Sequence, residues 1–444
     1  MSRLATRRSL VSGAVVVVAV ATVIALAVFL FRPADAAKGD PVEAGVPVAL
    51  AAANVPAGTT LGVVVTLGSG TGAAWKDAAQ GAAVAAHRFL LAGTPVTLST
   101  ADDRGTAEGA RKAVAKLVSE NVAGIVVATD GPQVRDALAA AADAGIPVLL
   151  PYYTGKLEAD GATWRTAPTQ AQLSKALSSA LAGAKRPLLI DAGGGAPDSV
   201  DVSAGISFKP GADPEALAAD VARRTGVAEP EKADGTPGRA PVAKPADAIL
   251  LTGSPAQLAT VVHALQSANV AVPLVLAPGA TSPAFSAGLA KAGGTASGRL
   301  STVGADATDA AALRPDDSGR AMSGFLAGLR VLAQEPEAKN LTGDVPFAEV
   351  AHAADSRSHD AVVALVRAVS AAGSNDPAKV AQNLGTLVLG PADGIAGGTL
   401  DFTRPDALDG EAVVLHISDQ DLGLRPQGSS GGAPVSWFAR PAID

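Results

Sequence analysis

Short apolar runs alternate with amphipathic stretches along most of the chain. Residues 61–67, 95–100, 124–129 and 146–151 are brief runs of apolar and β-branched side chains, the pattern of strands. Between them, residues 73–91, 106–121 and 132–144 carry apolar positions at helical spacing, with Thr106 placed to cap the second helix and Pro132 in the first turn of the third. Strands alternating with helices of this length form βαβ units and a parallel sheet, and the near-continuous apolar strands fit burial on both faces.

The alternation then resumes. Helices are expected over 169–184, 213–225 and 255–268, and strands over 187–191, 204–208, 248–252 and 273–277. Helices follow at 318–333, 359–372 and 377–384, then glycine-punctuated strands within 390–415. The pattern predicts an α/β protein of two doubly wound parallel-sheet lobes. Residues 38–57, rich in Pro, Gly and Ala, read as a linker, and 427–444 as a flexible polar tail. Residues 228–245 hold four prolines and six charges and read as a disordered insertion.

The amino terminus is different in kind. Residues 10–31 are 22 uncharged positions, about 33 Å as a helix and enough to cross a bilayer core. Arg3, Arg7 and Arg8 precede the run and keep that end cytoplasmic, so the rest of the chain lies outside. Ala34-Asp35-Ala36 resembles a signal cleavage site. Residues 1–37 are therefore either a membrane anchor, through which the protein contacts the membrane, or a cleaved signal peptide. Without them the net charge moves from −7 to −10, with 31 basic against 41 acidic side chains.

That acidity, with only 3% aromatic residues, argues against a nucleic-acid partner. The chain has no cysteine, which removes disulfides, thiolate nucleophiles and thiolate metal sites. Residues 68–73, GSGTGA, nearly fit a dinucleotide-binding turn, but the acidic partner expected about 20 residues on is absent; Asp102 lies further along. The five histidines are scattered, with no metal-ligand spacing, and no nucleophile elbow or phosphate loop occurs. No enzyme activity, cofactor or metal is expected. More telling are the polar turns at the carboxyl ends of predicted strands: 102–106, 129–132 and 151–154. Open parallel sheets bind ligands there, although Thr129 and Asp130 could equally cap the next helix.

In order and spacing these segments resemble the type 1 periplasmic binding proteins, in the leucine/isoleucine/valine-binding branch that serves ABC transporters. ADDRGTAEGARKAVAKLVSENVAGIVVATDGP (101–132) looks like that family's acidic turn, helix, third strand and cleft turn, and IPVLLPYYT (146–154) like its fourth strand and ligand-contacting turn. TWRTAPTQAQLSKAL (163–177) resembles the crossing to the second lobe, SHDAVVALVRAV (358–369) a late helix, and LGTLVLGPADGIAGGTLDF (384–402) the last glycine-rich segment.

The resemblance implies two lobes joined by a hinge of three strands, lobe 1 from 58–165 and 304–385 and lobe 2 from 166–303 and 386–426, with a solute between them. Amino-acid-binding members hold the ligand carboxylate on first-lobe backbone N–H and hydroxyl groups. The matching turns supply Thr129, Asp130, Gly131, Tyr152, Tyr153 and Thr154, and Trp75 falls close to an aromatic position. On the second lobe Ser254 matches an aromatic position and Gly279 an acidic one, with Thr281 as a nearby hydroxyl. The missing acid leaves an ammonium group without a partner on that side. The implied function is an extracytoplasmic solute-binding protein feeding an ABC permease with amino-acid-like or other small polar solutes by hinge closure. Two alternatives stay open: a membrane-tethered sensor or interaction domain of the same fold with a divergent or lost site, and a nucleotide-cofactor enzyme.

Overall fold

The computed structural model describes residues 47–157, 161–198, 200–227, 240–419, 422–426 and 437–440. The expected hydrophobic helix within residues 1–37 and the first twelve residues of the 228–245 insertion lie outside these. Among the described residues no helix is long and apolar enough to cross a membrane.

In the first lobe, β1 (Thr60–Val65), α1 (Gly81–Leu91), β2 (Thr97–Asp102), α2 (Ala107–Ser119), β3 (Ile125–Val127), α3 (Val134–Asp143), β4 (Val148–Leu150) and β5 (Thr163–Arg165) build a parallel sheet ordered β2-β1-β3-β4-β5. Alternate strand positions point to opposite faces. Leu61, Val63 and Val65 pack with Ala82, Ala85 and Phe89 of α1. Val64, Ile125 and Val127 pack on the other face with Val114 and Leu117 of α2 and Ala137 of α3. Thr106 caps α2, accepting the Gly109 N–H at 3.0 Å.

The single helix expected over 73–91 is broken. One-turn 3-10 segments at Ala73–Trp75 and Ala78–Gln80 precede α1. The chain bends there to dock on a distant segment: the Ala78 carbonyl accepts the Asp355 N–H at 3.0 Å and the Ser358 hydroxyl at 2.9 Å. At Gly81 the approach is so close that a Cβ would stand 1.8 Å from the Asp355 oxygen.

The second lobe comprises α4 (Gln170–Leu181), β6 (Pro187–Ala192), β7 (Ala204–Ser207), α5 (Pro214–Arg224), β8 (Ala248–Gly253), α6 (Pro255–Ser267), β9 (Leu274–Leu276), α7 (Pro283–Lys291) and β10 (Leu300–Gly304). The chain then returns to the first lobe as α8 (Asp317–Gln334), α9 (Ser356–Ala372), α10 (Pro377–Leu384) and a hairpin of β11 (Val388–Leu389) and β12 (Leu400–Asp401). It ends in the second lobe with β13 (Val413–Ser418) and β14 (Trp437–Ala439). The second sheet is ordered β14-β13-β10-β9-β8-β6-β7. It is not wholly parallel as expected, because β13 runs antiparallel to β10 and β14 antiparallel to β13. Its two faces are covered by α5, α6 and α7 on one side and α4 on the other.

Three assignments change. Residues 386–409, expected in lobe 2, pack in lobe 1: Leu389, Ile395, Leu400 and Phe402 join its core, and the Trp164 indole donates to the Phe402 carbonyl at 2.7 Å. The end of the 38–57 linker is docked rather than free. Leu50 is buried, and Arg88 and Arg367 donate to the carbonyls of Val48 and Ala51 at 2.7 and 2.6 Å. Within the expected flexible tail, residues 437–439 form β14; the rest of that tail beyond Arg440 and before Trp437 lies outside the described residues.

Candidate functional site

The carboxyl ends of β1, β3 and β4 bring most of the expected first-lobe residues together. Gly72 takes a left-handed φ of 97° and sits so close to the β3 turn that a Cβ would lie 2.0 Å from the Thr129 hydroxyl oxygen. The segment after it is a 3-10 turn, so the glycine-rich loop does not open an α-helix and the phosphate cradle of a dinucleotide site is not built. Thr129 is buried and bonded at 2.6 Å to the Thr66 hydroxyl, which donates to Asp103 at 2.6 Å. Asp130 does not cap α3. Its carboxyl faces the backbone N–H groups of Gly131 and Thr154; burial raises its pKa, and those N–H groups offset part of the rise.

The aromatic part of the rim is filled as well. Trp75 and Tyr152 stack with ring centres 4.6 Å apart and planes 6° from parallel. The Arg357 guanidinium lies 5.0 and 4.8 Å from those centres, within cation–π reach. Asp355 holds it at 2.7 Å. Burial, with the Asp355 charge behind it, pushes the Tyr152 phenol pKa well up. Its hydroxyl has no hydrogen-bond partner among the described residues. Tyr153 departs from expectation: successive residues of an extended segment face opposite ways, and it packs in the core on the far side of the sheet.

The opening between the lobes lies beside this rim. α7 of the second lobe approaches the Ala73–Trp75 turn of the first. There a cavity of about 150 Å³ is lined on one side by Asp77, His352, Asp355 and Arg357, and on the other by Thr281, Ser282 and Ser286. Asp309 and Arg425 close one end, with Phe438 of β14. Arg425 pairs with Asp309, at 2.8 Å through Nη2, and its Nη1 donates to the carbonyls of His352 and Ala354 at 2.9 and 2.6 Å. Burial lowers the Arg425 pKa, but the Asp309 charge and hydrogen bond outweigh it and the net shift is upward. Partial burial lowers the His352 pKa although the Asp77 charge pulls it up, which leaves the imidazole neutral at pH 7. Asp77 itself makes no side-chain hydrogen bond or ion pair with a described residue. Ser282 is 1% exposed and its hydroxyl has no hydrogen-bond partner among the described residues.

Of the expected residues, only Thr281 lines this cavity; its hydroxyl bonds the Pro278 carbonyl at 2.9 Å. Trp75 and Tyr152 stand behind Arg357. Thr129, Asp130, Gly131 and Thr154 form the neighbouring rim. Ser254 is an exposed helix cap, its hydroxyl 2.7 Å from Gln257, and Gly279 sits against Pro255; neither reaches the cavity. Asp77, Ser282, Arg357 and Arg425 were missed. Asp355-Ser356-Arg357 reads as a helix start, where Asp355 caps α9. Arg425 lies in a stretch with no signal except charge.

His359 is structural. It is buried between Arg88 at 3.0 Å and Asp360 at 2.8 Å, and Asp360 also accepts the N–H groups of Ala396 and Gly397. Burial lowers its pKa, although Asp360 opposes the shift.

The sequence model described as periplasmic binding protein matches residues 58–413. No curated protein matches the chain by sequence. Among solved structures, the branched-chain amino acid transporter substrate-binding protein LivJ from Streptococcus pneumoniae, in complex with isoleucine, is similar over 86% of this chain and 99% of its own, with TM-score 0.58 and 17% identity. The leucine-binding protein LivK from Thermotoga maritima covers 86% and 97% at TM-score 0.57 and 17% identity. An ABC transporter substrate-binding protein from Desulfitobacterium hafniense, in complex with Leu, covers 86% and 99% at TM-score 0.56 and 15% identity. At these identities the likeness is one of fold.

Proposed function

This chain belongs to the periplasmic binding protein family, and from that premise we propose that it binds a small polar solute in the cavity between its lobes, as the extracytoplasmic substrate-binding component of an ABC importer. The observation that carries this reading is the cavity itself: about 150 Å³, walled by both lobes, and bordered by Asp77 and Ser282, whose side chains have no hydrogen-bond partner among the described residues. A solute touching both walls favours the closed arrangement, and a permease that reads that arrangement would couple binding to uptake. The site residues of this reading are Asp77, Thr281, Ser282 and Ser286, flanked by the Trp75–Tyr152–Arg357 group. No catalytic role is assigned to any of them, and no cofactor or metal is needed.

A thermal-shift screen of the full-length protein against amino acids, amides, short-chain acids, sugars and nucleosides tests it. A solute at about 100 times its Kd stabilises the protein by roughly 2.7 kcal/mol, and Ser286→Trp, which plugs the cavity, should cancel the shift. The filling of the first-lobe rim by Asp130 and Arg357 favours a second reading, a membrane-tethered sensor or interaction domain that no longer takes a solute. A silent screen with an intact fold would support it.

A further inference from the structure

Strands β13 and β14 are antiparallel neighbours in the second sheet, with Ser418 opposite Trp437 and His416 opposite Ala439. A pair of this kind needs a connection of about 2–5 residues. Here residues 419–436 connect them, and part of that length is used on the other lobe. Leu424 packs against the first-lobe cluster of Met322, Phe325 and Phe347. Arg425 is held at the same place through three nitrogens. Nε and Nη2 donate to the Asp309 carboxylate, and Nη1 donates to the carbonyls of His352 and Ala354 at 2.9 and 2.6 Å. These acceptors belong to the first lobe, since Ala311, Ala351 and Ala354 beside them lie in that same cluster. The chain then returns to the second lobe, where Phe438 packs on the core that holds Leu276 and Ile417.

Beyond the crossings after β5, β10 and β12, the chain thus reaches back to the first lobe once more before it ends in β14. Separating the lobes would carry β14 with the second and residues 351–354 with the first. The bonds of Arg425 would then break, or β14 would leave its sheet. The Arg425 and Asp309 side chains are 9% and 11% exposed, and a desolvated ion pair is costly to break. A planar guanidinium engaged on two edges also has little freedom to follow a moving partner. We propose that the β13–β14 connection is a latch: through Arg425 on Asp309 and the carbonyls of His352 and Ala354, it holds the two lobes in the closed arrangement before any solute binds. The latch goes beyond the solute-binding reading and does not depend on it. On that reading it lowers the cost of the closure that a solute would otherwise drive. In an interaction domain it would keep one fixed shape for a partner to meet.

The chain has no cysteine, so spin labels attach only where cysteines are introduced. Lys76, beside the turn that α7 approaches, and Lys291, at the far end of α7, are both exposed. With Lys76→Cys and Lys291→Cys in the full-length protein, double electron–electron resonance without added solute reads the distance between the lobes. The otherwise unchanged chain should give one short distance. Arg425→Ala should add a longer one, in about half of the molecules or more, while amide exchange in β6 and β8 stays as it was and shows that the second lobe is folded. The latch is overturned if the longer distance is already present with Arg425 in place, or if a folded Arg425→Ala protein keeps the single short distance. Should Arg425→Ala fail to fold, Arg425→Lys decides: a single ammonium cannot span the carboxylate and both carbonyls, so the longer distance should appear in a smaller fraction, and its absence would overturn the latch. No solute is added, so this outcome is separate from that of the thermal-shift screen, and either reading can fail alone.

Discussion

The first-lobe rim and the interlobe cavity lie side by side and have opposite character. On the rim the N–H groups of Gly131 and Thr154 have the Asp130 carboxyl beside them, the Trp75 and Tyr152 rings carry Arg357, and the Thr129 hydroxyl bonds Thr66, while the Tyr152 hydroxyl is left without a partner among the described residues. In the cavity Asp77 and Ser282 are left unanswered. A buried polar group without a partner costs free energy comparable to a lost hydrogen bond. Thr129 and the rim rings are thus partnered from within the fold, whereas the cavity leaves the buried Ser282 hydroxyl without a partner among the described residues. The family position of a residue does not tell which of these it is; the partners of its polar atoms do.

Arg425→Ala should have the largest effect on this contrast. It strips Asp309 of its partner in a pair whose side chains are 9% and 11% exposed, and breaking a buried pair costs about 3–5 kcal/mol. The loss should appear as local opening: faster amide exchange in 422–426 and 437–440, and a cavity open at one end. Unchanged exchange there would mean that Arg425 does not hold the cavity wall.

Arg357→Ala comes next and attacks the filled rim. Losing a desolvated cation beside two rings costs roughly 2 kcal/mol in urea denaturation, and methylguanidinium at low millimolar concentration should restore part of it by taking the vacated place. Absence of rescue would show that Trp75 and Tyr152 collapse into the gap, leaving no aromatic slot to fill.

Thr129→Val should cost about 1 kcal/mol, the net value of one buried hydrogen bond, and leave solute affinity untouched. A loss of affinity without a loss of stability would move Thr129 from the structural side of the comparison to the binding side.

Asp130→Asn should give the smallest change, and its sign is the informative part. Burial raises the Asp130 pKa in the folded protein, so the folded state holds that proton more tightly than the unfolded one. Stability contributed by the group is then lost as pH rises from its ordinary value near 3.8 through the raised value. Asp130→Asn removes that loss. Its stability relative to wild type should grow over the same interval and stay level above it, as urea midpoints taken along a pH series will show. A gap that shrinks instead would mean that the N–H groups of Gly131 and Thr154 outweigh burial.

Much of this protein is legible along the chain. The period of apolar residues marks most strands and helices of both sheets, because a strand covered on two faces and a helix covered on one have few other solutions, but it gave no sign of β5, β10, β14 or α7. Thr106 and Ser254 act as helix caps for purely local reasons, their hydroxyls reaching N–H groups three residues on. The expectation failed where a segment's fate depends on distant chain. The 73–91 helix breaks because Asp355 and Ser358 claim the Ala78 carbonyl. Residues 386–409 join the first lobe because Phe402 and Ile395 find their apolar partners there. Tyr153 and Tyr152, adjacent and alike, end in different cores.

The sequence by itself determined most of the elements and the α/β plan with parallel strands, since these follow from periodicity and short-range capping; the antiparallel β13 and β14 did not follow from it. Only the tertiary structure decided which polar groups at the sheet edge are spent and which are free. That distinction depends on pairs hundreds of residues apart, such as Tyr152 with Arg357 and Asp309 with Arg425. No local pattern encodes such a pair, because a hydrogen bond or ion pair needs its partners within a few ångströms in space and is indifferent to their separation along the chain.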